Sequence, residues 1–161
     1  MYYLEVFNKL NKAKVRYLVV GGVALVLHGV VRLTADLDLF VDLEENNLNK
    51  LLKALAELGY KPRLPVSPTD FANRAIRENW IKEKNMLVFT FLHSKDDFKV
   101  IDVFVNEPIP FDRAYSNRQT LKAQGVTIKT ISFKDLIALK KISAREQDLK
   151  DIEMLEELNK K

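Results

Sequence analysis

The chain has 161 residues, of which 47% are hydrophobic and 30% charged, with 5 Gly and 5 Pro. That is the length of one domain with apolar material for a sizeable core, and too little Gly and Pro for a linker or low-complexity chain. The longest apolar stretch, Tyr17 to His28, is about 12 residues against the roughly 20 that a membrane span needs. Met1-Tyr2-Tyr3-Leu4-Glu5 lacks a basic start and a cleavable apolar core, and Cys is absent. The expectation is a cytoplasmic domain without signal peptide, disulfides or thiolate chemistry.

Charge is unevenly spread: 26 basic residues stand against 22 acidic ones, net +4. Asp36 to Glu45 carries five acids and no base, whereas Arg113 to Arg145 carries eight bases and one acid, Asp135. An acidic cluster facing a basic half suits a metal-assisted site for an anionic substrate; two solvated surfaces would read the same way.

Leu4, Phe7 and Leu10 recur at helical spacing, so Tyr3 to Lys12 reads as an amphipathic helix. Arg16 to Val20 is a short β-rich run ended by Gly21-Gly22, and Val23 to Val30 then reads as a helix. Ala35 to Asp42 alternates strictly and predicts a strand. Glu45 to Leu58 carries Leu48, Leu51, Leu52, Leu55 and Leu58, a helical stripe closed by Gly59. Ser67-Pro68-Thr69-Asp70 has the order of an N-cap, a first-position proline and an acid, predicting a helix toward Lys82. Met86 to Leu92 and Lys99 to Val105 read as strands joined by Ser94-Lys95-Asp96-Asp97. Gln119 to Ala123 and Val126 to Ile131 read as a hairpin through Gln124-Gly125. Ser132 caps a helix through Lys140 with Asp135 as its capping-box acid, and a last helix begins at Ala144. No repeat or linker is visible. One α+β domain over residues 1–161 is expected: a small mixed β-sheet with helices packed on it and a helical segment at about 132–159.

The sharpest motif is Asp36-Leu37-Asp38. On a strand, Asp36 and Asp38 project from one face and Leu37, Leu39 and Val41 from the other. Two carboxylates with Cα atoms about 7 Å apart repel unless solvent or a cation neutralises them, and such a pair suits Mg²⁺. The polar face of an edge strand is the plain alternative. Asp102 sits in Val100-Ile101-Asp102-Val103-Phe104-Val105, where an ionised carboxylate is costly unless paired, hydrogen-bonded or metal-bound. Three such carboxylates match the clamp that two-metal phosphoryl and nucleotidyl transfer needs; a salt bridge to a base is the alternative for Asp102. Gly21-Gly22, between strand and helix, lets backbone approach a phosphate.

Gly21-Gly22-Val23-Ala24-Leu25-Val26-Leu27-His28-Gly29, then Arg32, Thr34 and Asp36-Leu37-Asp38-Leu39-Phe40-Val41, resembles the nucleotidyltransferase superfamily of the DNA polymerase β type. More narrowly the chain is similar to small AbiEii-like nucleotidyltransferases, which include toxins of toxin–antitoxin systems. Ser132 to Lys140 and Arg145 to Ile152 also resemble that family's helical tail. The resemblance implies a nucleotidyltransferase fold, with Gly21 and Gly22 holding an NTP's triphosphate. It implies that Asp36 and Asp38 bind Mg²⁺ or Mn²⁺, with Asp102 completing the metal site and assisting deprotonation of the acceptor. It implies that Lys140 contacts nucleotide or phosphate, with Asp148 or Asp151 as the tail's late acid. Where many members have Gly-Ser this chain has Gly-Gly, which implies a missing hydroxyl contact to the triphosphate. The large helical domain of longer members is also missing.

Arg32 and Thr34 either touch phosphate or hold the loop against Asp36. His28 reads as a core histidine, His93 as a solvent-exposed one, and Trp80, Phe71 and Tyr60 as packing residues rather than a base-stacking platform. Arg145, Asp148 and Asp151 also suit a salt-bridged helix face. The expected activity is metal-dependent transfer of NMP to a hydroxyl on an RNA 3′ end, a protein or a small molecule. An antitoxin or helical protein is a candidate partner. The alternative is a catalytically reduced nucleotide- or partner-binding module of the same fold. A glycosyltransferase using Asp-x-Asp would need a longer chain.

Overall fold

A computed structural model describes residues 2–161. The elements in chain order are α1 (Leu4–Lys12), β1 (Tyr17–Val20), α2 (Gly21–Leu27), β2 (Leu37–Val41), α3 (Glu45–Glu57), β3 (Tyr60–Pro62), α4 (Pro68–Ala72), α5 (Arg74–Lys84), β4 (Val88–His93), β5 (Val100–Phe104), α6 (Phe111–Ser116), β6 (Gln119–Ala123), β7 (Val126–Thr130), α7 (Phe133–Ser143) and α8 (Glu146–Asn159). The strands form one seven-stranded sheet in the order β3-β4-β5-β2-β1-β7-β6. The pairs β2–β5 and β1–β7 are parallel and the other four antiparallel. The expected mixed sheet of an α+β domain is therefore present.

The centre of the sheet is where apolar runs are densest. All four residues of β1 are buried, as are Leu37, Leu39, Phe40 and Val41 of β2. Both faces of β2 are thus covered. Its alternation holds only at Asp38, where the strand begins to open toward solvent. α1 stacks Phe7 on Tyr17 with ring centroids 6.3 Å apart, and α3 buries the expected Leu48, Leu51, Leu52 and Leu55. Trp80 stacks on Phe89 at 5.1 Å and Phe71 on Phe89 at 5.0 Å. Those aromatics, with the buried Tyr60, are core.

Several expectations shift for identifiable reasons. The helix after Ser67 breaks at Asn73, whose extended backbone and side chain cap a new helix by accepting the Ile76 N–H. Ser67 makes no cap hydrogen bond; its hydroxyl pairs with that of Thr69 instead. The last helix starts at Glu146 rather than Ala144, because Ala144 takes a left-handed φ of 47° and ends α7. Ser132 does accept the Asp135 N–H at 3.1 Å, but Asp135 Oδ2 is buried with no partner among the described residues, so the box closes on one side only. β3 and α6 carry too few patterned residues to be read from the sequence. His93 is half-buried and packs edge-on to Tyr60 at 5.1 Å, so it is not a loose surface histidine. His28 is half-buried rather than in the core, and its ring is held by the Ile131 carbonyl at 2.8 Å.

Candidate active site

β1 runs directly into α2, so the two glycines form the helix's first turn rather than a loop before it. They are glycines for different reasons. Gly21 has φ +64°, and a Cβ there would stand 2.1 Å from Asp38 Oδ2. Both conformation and space exclude a side chain. Gly22 has no such backbone constraint, yet a Cβ there would stand 2.5 Å from Thr34 Oγ1 and 3.1 Å from Thr34 Cβ. Asp38 and Thr34 therefore lie against the bare backbone of the glycine pair.

Antiparallel β1–β2 pairing sets Asp38 opposite Val20, the last residue before the glycines. Parallel β2–β5 pairing sets Asp38 beside Asp102. On the far side of Asp102 lies its register partner Thr90, whose hydroxyl donates to Asp102 Oδ1 at 2.5 Å. Asp36 sits in the bend just before β2 and is exposed. Burial, and then the charges of Asp102 and Asp36, push the Asp38 carboxyl up to about 7, opposed by Lys140 and by a hydrogen bond from Gly22 N–H. Burial and Asp102 also raise Asp36, with Arg63 opposing. Three acids are concentrated at one strand end, and the cations near them do not offset their repulsion at Asp38.

Among the described residues no three Asp, Glu, His or Cys side chains are gathered as a ready-made metal cage. The donor chemistry nevertheless fits a divalent cation. The oxygens are hard, like-charged and partly desolvated, the condition in which Mg²⁺ binds through one or two carboxylates and completes its shell with water and phosphate.

A cavity of about 420 Å³ opens at this end of the sheet. Gly21, Gly22, Arg32, Thr34, Asp36, Asp38 and Lys140 all contribute to its wall, as do Arg145, Asp148 and Asp151 from the tail. Asp102 does not line it and reaches it only through its neighbour Asp38.

The tail residues behave as a network. Lys140 is buried, with Nζ 2.9 Å from Asp151 and 3.4 Å from Asp148. Arg32 Nη1 donates to Asp151 at 2.7 Å, tying the loop before β2 to α8. Arg145 Nε donates to Asp148 at 2.9 Å, and the Arg145 N–H to the same oxygen at 3.1 Å. Although burial opposes it, hydrogen bonds from Arg145 and Ser143 hold Asp148 well below the usual carboxylate range. Asp151 is lowered by Lys140, Gln147 and Arg32 against the same opposing burial. Lys140 lines the cavity with two of its three N–H donors already engaged.

The two charge blocks of the sequence are both divided. Asp42 lies at the far end of β2, paired with Arg16. In the basic stretch Lys140 and Arg145 serve the network, while Arg118 and Lys129 lie over the Tyr115 ring at 4.1 and 5.6 Å. One continuous basic face is therefore not formed by that stretch.

Tyr3 is the site residue that sequence patterns miss. Its buried hydroxyl lies 2.5 Å from Ala35 O and 3.1 Å from Val100 O, and it accepts the Val100 N–H at 3.2 Å. It thus joins the residue before Asp36 to the start of the strand carrying Asp102. A Tyr at the edge of an amphipathic helix gives no signal of this.

Residues 3–160 match the family model described as "Nucleotidyltransferase of unknown function (DUF6036)". The chain belongs to this nucleotidyltransferase family. No curated protein matches it. Among solved structures it is similar to the lincosamide antibiotic adenylyltransferase LnuA, lincomycin-bound, at 17% identity and TM-score 0.57, covering 92% of this chain and 90% of that one. It is also similar to ANT(2")-Ia in complex with adenylyl-2"-tobramycin, at 12% identity and TM-score 0.57, covering 94% and 83%. An antigenic nucleotidyltransferase-like protein from Paracoccidioides brasiliensis gives 16% identity, TM-score 0.56, and coverage of 94% and 74%. These likenesses establish the nucleotidyltransferase fold, as the glycine pair and acidic strand imply. No described helix of this family member is long and apolar enough to cross a membrane.

Proposed function

We propose that this domain is a divalent-metal-dependent nucleotidyltransferase that moves NMP from an NTP to a hydroxyl acceptor. The observation that carries the reading is the pairing of Asp38 with Asp102 across β2–β5, with Asp36 beside them and the glycine pair against Asp38. Asp36, Asp38 and Asp102 would hold Mg²⁺ or Mn²⁺, which when bound supplies charge neutralisation for the phosphates and a lowered pKa for the acceptor hydroxyl. The acceptor oxygen forms a bond to the α-phosphorus, the bond from that phosphorus to the bridging oxygen breaks, and pyrophosphate leaves. Asp102, braced by Thr90, takes part in removing the acceptor proton. Gly21 and Gly22 receive the triphosphate against bare backbone, and Arg32 and Lys140 supply positive potential at the cavity wall.

An RNA 3′ end rests on the net charge of the basic stretch alone, four of whose bases are already paired with acids or stacked on Tyr115. The fold shared with two proteins whose structures hold lincomycin and adenylyl-tobramycin favours a small-molecule hydroxyl. A protein side chain completes the acceptor classes. An antitoxin partner rests on the AbiEii-like resemblance alone, and no surface is assigned to one. The test is incubation with each α-labelled NTP, Mg²⁺ or Mn²⁺, and separate pools of RNA, protein and small hydroxylated compounds. Label should appear in one pool, with pyrophosphate released. Nucleotide binding without label transfer to any pool would leave the binding-module reading in its place.

A further inference from the structure

The segment between α2 and β2 has no regular structure over residues 30–36, and every residue from Leu33 to Asp36 is exposed. Val31 and Leu33 are each 99% exposed. Arg32 and Thr34 line the cavity, together with Leu33, Ala35 and Asp36. The strap is fixed on both sides of Thr34. Arg32 is bonded to the buried Asp151 at 2.7 Å, and the Ala35 carbonyl accepts from the Tyr3 hydroxyl at 2.5 Å. Held between these anchors, Thr34 Oγ1 lies 2.5 Å from the point a Cβ on residue 22 would occupy. Thr34 is exposed, and its backbone is positioned before any ligand arrives, which lowers the ordering cost of a contact. Unlike the Arg32 guanidinium, the Thr34 hydroxyl makes no hydrogen bond among the described residues.

We propose that Thr34 is a triphosphate-binding residue whose hydroxyl donates to a phosphate oxygen of the NTP, and that residue 22 is glycine because this hydroxyl takes the place of its side chain. The proposal rests on the nucleotidyltransferase reading and adds a ligand-contacting group to it. It also separates the two glycines: Gly21 answers to backbone conformation and to Asp38, whereas Gly22 answers to Thr34 alone. A side chain at 22 is thus excluded by its neighbour and not by its own φ. The exclusion is reciprocal, so removing the Thr34 side chain should make room for one at position 22.

The experiment measures unfolding without ligand, and binding of non-hydrolysable ATP, GTP, CTP and UTP analogues with Mg²⁺ by calorimetry. Thr34→Val keeps the shape and removes the hydroxyl; it should unfold like the wild type and bind roughly 10- to 100-fold more weakly, the fold-change of a lost hydrogen bond to a charged group. Thr34→Ser should stay within about threefold of the wild type, because the hydroxyl is kept. Gly22→Ser should lower the melting temperature and binding together. Gly22→Ser combined with Thr34→Gly should recover both, since the clash is removed and a hydroxyl returns from the other side. Equal binding by Thr34→Val and wild type would overturn the hydroxyl's role, and a double variant no more stable than Gly22→Ser would overturn the steric exchange. A wild type that binds none of the four analogues would refute the functional reading itself, and the ligand role of Thr34 with it; the unfolding comparison reads the steric exchange independently.

Discussion

Asp38 and Asp102 stand side by side on the parallel strands β2 and β5, and the charge on Asp102 helps push the Asp38 carboxyl up to about 7. The native fold therefore holds an ionised Asp38 at a cost that the unfolded chain does not bear. A carboxyl raised in the folded state leaves stability intact below the ordinary carboxylate range, and stability falls as pH rises toward 7. In chelator, Asp38→Asn should melt above the wild type, by on the order of 1–3 kcal/mol at pH 8, and the gap should close near pH 4. Calorimetric unfolding across that range checks it. An Asn variant less stable than wild type at pH 8 would contradict the repulsion.

Divalent metal with a non-hydrolysable NTP should raise the melting temperature of the wild type. A ligand bound only by the folded state at 100 times its dissociation constant adds about 2.7 kcal/mol. Asp38→Asn should lose the metal-dependent part of that gain. Thermal shift with and without Mg²⁺ separates the two parts, and an undiminished shift in the variant would remove Asp38 from the metal site.

Asp102 distinguishes enzyme from binding module. It lies outside the cavity wall and is braced by Thr90, so Asp102→Asn should leave nucleotide binding near normal while transfer falls about 10²- to 10⁴-fold, the usual worth of acid–base assistance. Thr90 can donate to Asn Oδ1 as it does to the carboxylate, so the fold should survive. Transfer per folded molecule at the wild-type rate would refute the role.

The motif was legible because its parts are local: an Asp-x-Asp on an alternating strand, a lone Asp amid apolar residues and a glycine pair after a strand. What brings them together is sheet register, which is set by long-range pairing and leaves no local trace. That Asp102 neighbours Asp38 but lies outside the cavity could not be read from spacing. Nor could the seating of Thr34 on Gly22, 12 residues apart in the chain. The charge blocks leave two readings open because a strand or helix carries successive residues to different places. Asp42 meets Arg16 at one end of β2 while Asp38 meets Gly21 at the other. In the tail, the resemblance implies Lys140 as a nucleotide or phosphate contact; spacing gives no sign that its ammonium is also bonded to Asp148 and Asp151.

Tyr3 should act on chemistry through position. Tyr3→Phe removes the link between Ala35 and Val100, costing about 1–2 kcal/mol of stability. The loss in kcat should be roughly tenfold or more, because small misplacements of reacting groups are expensive. KM for the NTP should rise less than kcat falls, since the Tyr3 hydroxyl anchors Ala35 beside Thr34 but does not itself touch the triphosphate. Steady-state kinetics on the folded variant reads this split, and a change confined to melting temperature would make Tyr3 a packing residue only.

The tail network gives the opposite pH dependence to Asp38. Asp148 and Asp151 are both held below the ordinary carboxylate range, so the stability they contribute is present above about pH 4 and is lost as acid protonates them in the folded state. Asp151→Asn leaves Lys140 buried beside a single carboxylate and deprives Arg32 of its partner. Breaking a buried pair in this way should cost about 3–5 kcal/mol at pH 7. Asn has no proton to gain, so the stability gap between wild type and variant should narrow as pH falls below about 4. Arg145→Ala should cost far less, on the order of 0–1 kcal/mol, because the Arg145 side chain is 78% exposed and solvent screens its pairing with Asp148. Chemical denaturation of the three proteins from pH 8 to pH 3 measures both claims. A gap that stayed constant with pH would show that Asp151 acts through packing alone. A gap that closed only above pH 7 would assign the titration to another group. The same variant should free the strap at Arg32, so proteolysis within residues 30–35 should speed up at pH 7, whereas Arg145→Ala should leave it unchanged.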